Sequence, residues 1–388
     1  MLLIAALLAA PQLGDGSQPA RFTLPNSFGE AGTGSLEVQL GYYDRTDSPG
    51  KGNPFLNEEV TVIEPIVVFD YNVSDTFAYS GLLVYDNVSS ASIERLSNFP
   101  EQSGASGDFY IGADFGLRWK TSEQTSIGAR AGFSTEYDYQ SIHLGGDYTW
   151  ERRDKDAKLT FSLDSFLDTI EPIRWNGVTD PDEDRTSVAA TVSWYQIFDK
   201  KTHGTLGATI SSQSGFLSTP YNSVIFDDGS VNPNPDLDNN AIGGQAFEVV
   251  PDNRLRTVIY GRARRLVAPG RAIELGGRFY SDDWGITGFD IMPRFIQSFN
   301  DGRNVLELRY RFYTQSEADF YQREIFGATL PAERSQDSDL GDFSSNTLGT
   351  TWTWNRSAGT RWTFSFDYSM RDDDLNNMYG LIGYRWSF

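Results

Sequence analysis

Apolar and polar positions alternate with period two along most of this chain, most plainly at its C-terminal end. Trp362, Phe364, Phe366, Tyr368 and Met370 alternate with Thr363, Ser365, Asp367 and Ser369. Beyond Arg371 and a polar stretch ending at Asn377 the pattern returns, with Gly380, Ile382, Tyr384, Trp386 and Phe388 on one face. Leu381, Gly383, Arg385 and Ser387 occupy the other. Successive side chains of a strand point to opposite faces, so each run predicts a strand with an apolar side and a wetter one. An aromatic-rich outside over a polar inside is the pattern of a transmembrane β-barrel strand.

From Ser35 onward the same alternation recurs at 36–42, 61–71, 77–85, 109–119, 127–133, 142–150, 159–163, 188–194, 206–210, 255–263, 273–279, 289–295, 306–312 and 348–354. With the two terminal runs this predicts an all-β, antiparallel up-and-down barrel of about 16 strands, an even number as bacterial single-chain barrels require. The connections test the count. Every second one is short, at 72–75, 120–123, 152–156, 199–201, 268–270, 300–302 and 357–359. The others include the long stretches 88–106, 170–184, 216–252 and 315–344. Short periplasmic turns alternating with longer extracellular loops give this asymmetry, and a miscounted strand would break it. Trp119, Trp150, Trp354, Trp362 and Trp386 all fall towards the short-turn side, where an interfacial aromatic girdle belongs.

At the N-terminus, residues 1–10 read as the apolar core of a secretory signal without the usual basic start, either a truncated signal or one whose true start lies elsewhere. Residues 11–34 are rich in Gly, Pro and Ser and read as a linker or extension, leaving 35–388 as a single barrel domain. A terminal Phe388 that closes an amphipathic strand resembles the recognition signal of the barrel-assembly machinery. After residue 10, no apolar run approaches the roughly 20 residues of a spanning helix. The absence of cysteine leaves no disulfide framework or thiolate metal site. A formal charge of −21 argues against a nucleic-acid partner, which demands clustered Lys and Arg.

If the aromatic face meets lipid, the opposite parity lines the lumen. Between residues 254 and 311 that parity carries Arg254, Arg256, Arg262, Arg264, Arg278, Arg294, Arg309 and Arg311, with Glu274, Asp290 and Glu307 among them. Unpaired charges in a dry interior are costly, so this wall implies water, salt bridges or a polar plug. It reads either as an Arg–carboxylate network that stiffens the barrel or as an anion-favouring constriction. Glycines on the inner parity, at 112, 116, 128, 132 and 145, suggest a wide lumen.

Most acids fall in the long connections, at Asp180, Asp182, Glu183, Asp184, Asp227, Asp228, Asp236, Asp238, Asp337, Asp339, Asp342 and 372–374. None has a full calcium-loop spacing, so a solvated acidic rim is expected and no metal site or cofactor is assigned. Catalysis finds little support. Of two histidines, His143 faces inward with Asp147 four residues on, but about 13 Å of strand separates them. No phosphate-loop or dinucleotide motif is present.

The stretch Arg278-Phe-Tyr-Ser-Asp-Asp-Trp-Gly-Ile286, followed by Leu308-Arg-Tyr-Arg-Phe-Tyr-Thr-Gln-Ser-Glu-Ala-Asp-Phe-Tyr321, resembles the bacterial family known as domain of unknown function 3570. Asn253-Arg-Leu-Arg256 and Tyr260-Gly-Arg-Ala-Arg-Arg265 fit the same pattern. The resemblance implies an outer-membrane barrel and gives no substrate. Members are often encoded beside a thioredoxin-like protein, a small lipoprotein and a flavin transferase, which implies an envelope partner in redox work. The same residues have a physical reading. Asp282, Asp283, Trp284, Asp319 and Tyr321 would cluster at one quarter of the extracellular mouth and fold loop 315–344 inward as a gate. Replacing Asp283 or Asp319 would then raise conductance.

These patterns predict a bacterial outer-membrane barrel in lipid and lipopolysaccharide, acting as a porin-like passive channel for small polar or anionic solutes. The alternative is a plugged barrel that anchors an envelope partner; a barrel hydrolase is the weaker reading.

Overall fold

The computed structural model describes residues 28–47, 56–57, 59–89, 93–94, 106–174, 177–220, 222–227, 244–327 and 329–388. Sixteen long strands form one closed antiparallel barrel. In chain order they are β1 (Gly34–Thr46), β2 (Val60–Ser74), β3 (Phe77–Ser89), β4 (Ser106–Lys120), β5 (Thr125–Thr135), β6 (Tyr139–Glu151), β7 (Ala157–Ile170) and β8 (Glu183–Asp199). They continue as β9 (Thr202–Gly215), β10 (Asn253–Ala268), β11 (Arg271–Asp282), β12 (Thr287–Phe299), β13 (Asn304–Gln315), β14 (Phe343–Ser357), β15 (Thr360–Arg371) and β16 (Asn376–Ser387). Each strand pairs with its neighbours in sequence, and β1 closes the ring on β16 from Ser35↔Ser387 to Thr46↔Asn376. Gly34 donates its N–H to the Phe388 carbonyl at 2.8 Å, and Phe388 returns the bond at 3.0 Å. The terminal residue is thus part of the seam, with its ring 6.4 Å from that of Tyr71. Closure leaves the barrel sheet with no open edge, the condition for a sheet to lie in lipid.

The period-two faces fall where the alternation placed them. Leu36, Val38, Leu40 and Tyr42 of β1 are exposed outward, as are Leu255 and Ile259 of β10 and Leu348, Trp352 and Trp354 of β14. The same holds around the ring. An apolar surface this continuous has no place in water and makes a lipid-facing band. At its short-turn border Trp354 and Trp362 are cross-strand partners, and Trp362 lies 4.8 Å from Tyr384. Trp119 packs 5.2 Å from Phe77, and Trp386 lies 5.1 Å from Phe388. Trp150 occupies the same end of β6. The turn of β12 into β13 shows why its residues suit it. Asn300, Asp301 and Gly302 all have positive φ, a region that Asn, Asp and Gly enter most readily.

Strand boundaries shift slightly from the expected ones, because a bulge between Asn72 and Ser74 keeps 72–74 within β2. The long connections are less irregular than their sequences suggest. Segments Ser223–Asp227, Gly244–Phe247 and Ile325–Phe326 form a small three-stranded sheet, and Ser338–Leu340 is a 3-10 turn. The signal-like segment 1–10, most of the linker 11–34, most of loop 88–106, and Asp228, Asp236 and Asp238 lie outside the described residues.

Candidate functional site: the inner wall and the extracellular cap

All eight arginines of the basic wall are on the inner parity of β10 to β13, and the structure ties seven of them down. Arg264 bonds Glu274 at 2.7 Å, and Arg294 lies between Glu274 at 3.7 Å and Glu307 at 3.5 Å. Arg309 approaches Glu307 at 3.6 Å and bonds Asp367 of β15 through Nε at 2.7 Å. Arg278 and Arg311 share Asp290, at 2.7 and 3.1 Å. Arg254 holds Asp282 at 2.6 Å, and Arg256 donates to the Gln213 amide oxygen of β9. Asp282 and Asp367 are partners that reading the wall alone missed. Both are on inner parity, and only the register brings Asp367 beside Arg309 through the intervening Gly349 of β14. Most of the wall is therefore an ion-paired network. Arg262 stands apart: it is on the inner parity, exposed, and its side chain has no ion pair or hydrogen bond among the described residues.

On β4 to β7 a second network faces inward. His143 does not pair with Asp147. Its Nδ1 lies 2.7 Å from Asp114 and its Nε2 3.1 Å from Asp164, and its ring stacks on Phe166 at 4.5 Å. Asp147 instead pairs with Arg130 at 3.0 Å, and Arg130 also reaches Asp164 at 2.7 Å. With both ring nitrogens on carboxylates, the imidazole has no nitrogen left to activate a nucleophile. The inner glycines take on a new role here. A Cβ at Gly132 would collide with the Asp114 carboxylate and one at Gly145 with that of Asp164. These glycines make room for the ion-paired carboxylates.

The five residues expected to form a gate do come together. Asp282 is the hub of the β11–β12 hairpin. It accepts from Arg254, from the Tyr280 hydroxyl at 2.6 Å, and from the N–H groups of Trp284 and Ile286 at 3.1 and 2.9 Å. Trp284 sits under Arg254, 4.1 Å from ring centre to guanidinium, and donates to the Asn253 carbonyl at 2.8 Å. It packs edge-on against Phe320 at 5.1 Å, inside a buried cluster with Val250, Ile286 and Ala318 that Tyr321 flanks. Asp319 donates its N–H to the Trp284 carbonyl at 2.8 Å. Asp283 accepts from the Leu255 N–H at 2.8 Å. The carboxylates of Asp283 and Asp319 are on exposed residues, so Asp282 and Trp284 hold the hairpin.

From that cluster the chain 316–342 reaches across the mouth. Gln336 exchanges hydrogen bonds with the Ile225 backbone at 2.7 and 3.0 Å, and Val249 bridges to Arg334. Glu248, buried, accepts from the Ser335 hydroxyl at 2.6 Å and from the Thr219 N–H at 2.7 Å. Asp337, next to it, accepts from Asn222 at 3.3 Å. Burial, and secondarily the Asp337 charge, pushes the Glu248 carboxyl up to about 7. Asp337 is also raised, again by burial first. Asp339 goes the other way: burial opposes its charge, but Arg45 and Arg371 more than offset this and hold it well below the usual carboxylate range. Arg45 ends the inner face of β1 and Arg371 that of β15. Asp337 and Asp339 are therefore structural, a departure from the solvated rim expected of the acidic loops.

A closed sixteen-strand barrel with an apolar outer band and a polar inner wall is a bacterial outer-membrane β-barrel, surrounded by outer-membrane lipid and lipopolysaccharide. Within that class the chain belongs to the family described as "Protein of unknown function (DUF3570)", which matches residues 110–386. No curated protein matches the chain. Solved outer-membrane barrels resemble it in architecture. The siderophore receptor PirA from Acinetobacter baumannii does so at 10% identity and a TM-score of 0.46, covering 89% of this chain and 53% of its own. The chain thus spans about half the length of that receptor. A bacterial polysaccharide outer-membrane secretin is 13% identical with a TM-score of 0.48, covering 91% of this chain and 98% of its own. The outer-membrane protein opdK from Pseudomonas aeruginosa is 8% identical with a TM-score of 0.44, covering 93% and 100%.

Proposed function

We propose that this barrel is a passive, porin-like channel for small polar solutes, with a lumen that leans towards anions. A ring of 16 strands encloses more space than its own side chains fill, unlike an eight-stranded one. The observation that carries the reading is Arg262, an inward-facing arginine that is solvent-exposed and unpaired. An unpaired guanidinium is tolerable inside a barrel only where water reaches it. The Arg254–Arg311 wall then serves mainly as scaffold, with its carboxylates offsetting most of its charge. The residues about Asp282, Asp283, Trp284, Asp319 and Tyr321 fasten loop 316–342 over part of the mouth and act as its gate. Phe388, in the barrel seam, would present the assembly machinery with the end of β16.

The test is swelling of liposomes that contain the refolded barrel in iso-osmotic sugar solutions of graded size. Swelling that is fast for the smallest sugars and falls with size supports the channel. No swelling with a correctly folded barrel would favour the alternative, a plugged scaffold for an envelope partner. The folded cap over the mouth is what keeps that second reading in view.

A further inference from the structure

We infer that Arg262 is the centre of an oxyanion-binding station in the periplasmic half of the lumen, taking small carboxylate or phosphate groups. The inference rests on the channel reading and names what that channel handles. Arg262 lies in the part of β10 that leads to the short turn after Ala268. Its cross-strand neighbours on the inner face are Thr205 of β9 and Gly276 of β11.

Gly276 leaves the space beside the root of the Arg262 side chain open. A Cβ there would meet nothing nearer than the Met292 carbonyl at 3.7 Å and the Arg262 Cβ at 3.8 Å. On the other side Thr205 places a hydroxyl on the same face. Two residues along, Tyr260 leans over Gly207, where a Cβ would collide with its ring. Tyr260 thus shares the inner face of β10 with Arg262.

Charge balance points the same way. Glu274 is the carboxylate that both Arg264, at 2.7 Å, and Arg294, at 3.7 Å, turn to. It leaves no charge for Arg262. Arg264, Arg294 and Arg309 are matched by Glu274, Glu307 and Asp367, so Arg262 is the charge left over, a planar fork that matches a carboxylate or phosphate edge. Such a site, open to water and built on one unpaired arginine, binds weakly enough to release what it attracts, as conduction requires.

Two measurements test this. In planar bilayers under a potassium chloride gradient, the wild-type reversal potential should lean towards chloride. Arg262→Gln should lower the chloride-to-potassium permeability ratio by about twofold or more, the effect expected when a focusing charge is removed, and Arg262→Lys should restore most of it. In detergent, phenylglyoxal should modify Arg262 faster than the paired Arg278, Arg294 or Arg309, with peptides resolved by mass spectrometry. Inorganic phosphate should slow that modification at Arg262 alone. An open Arg262→Gln channel with the wild-type ratio would overturn the site while leaving the channel intact. If the barrel is silent in bilayers, the channel reading fails, and the phosphate protection still decides the site: equal modification with and without phosphate rejects it.

Discussion

Asp339, on the loop between β13 and β14, accepts two hydrogen bonds from Arg45 of β1, at 3.1 and 3.2 Å. The two residues are 294 positions apart in the chain. Arg371 of β15 holds the same carboxylate at 2.5 Å. A loop that leaves the barrel beside the β11–β12 hairpin is thereby fastened to the inner rim on the far side of β14. The cap thus has two anchors: an apolar one at Trp284 and a charged one at Asp339.

Asp339→Asn should free the second anchor. It takes from Arg45 and Arg371, both 5% exposed, the charge they share, leaving Arg371 with Asp373 at 2.5 Å, and a buried cation that loses a carboxylate partner is destabilised. Limited proteolysis within 316–342 should speed up roughly tenfold or more, about 1.4 kcal/mol of local opening, while the barrel itself stays folded. Cleavage at the wild-type rate would show that the apolar cluster alone holds the loop.

Glu248 makes the cap sensitive to pH. Its folded value, about 7, lies above the ordinary 4.5, so the folded cap binds the proton more tightly than the opened one. The stability this contributes is complete below about 4.5 and is lost as pH rises through about 7. Asp337 opposes ionisation of Glu248, whereas Ser335 and Thr219 help the ionised form but do not outweigh burial. Amide exchange at Val249 and Arg334, corrected for intrinsic rate, should be slower at pH 6 than at pH 8.5. Glu248→Gln should flatten the difference. An exchange rate that falls with rising pH would contradict the assignment.

Gly349 should tolerate no side chain. A Cβ there would meet the Asp367 carboxylate and sit 2.8 Å from the Arg309 Cγ. Gly349→Ala therefore has to displace the Arg309–Asp367 pair, at about 1–3 kcal/mol. The temperature at which the folded band converts on a denaturing gel should drop. Gly380, where a Cβ meets nothing within 4 Å, is the matched control and should be neutral as Ala. Equal behaviour of the two variants would contradict this packing.

These cases show what the sequence made legible. Strands, sidedness and girdle follow from period two and from turn residues such as Asn300-Asp-Gly302, all local signals. The inner parity of Arg309 was legible for the same reason. Its partner was not, because Asp367 lies 58 residues away and two strands over, and only the barrel register brings them together. His143 illustrates the same limit: the tempting neighbour was Asp147 on its own strand, yet its partners lie on β4 and β7. The cap was the least legible part. Glu248, Ser335 and Asp339 carry no periodicity, and their contacts depend on loops that meet only after the barrel closes.

Single-channel recording of the refolded protein in a planar bilayer asks whether the lumen is filled with water. Discrete, steady open steps are expected, larger in Asp339→Asn, with a reversal potential on the anion side in a salt gradient. A correctly folded barrel that stays silent, and remains silent when the cap is loosened by Asp339→Asn, would contradict a water-filled lumen.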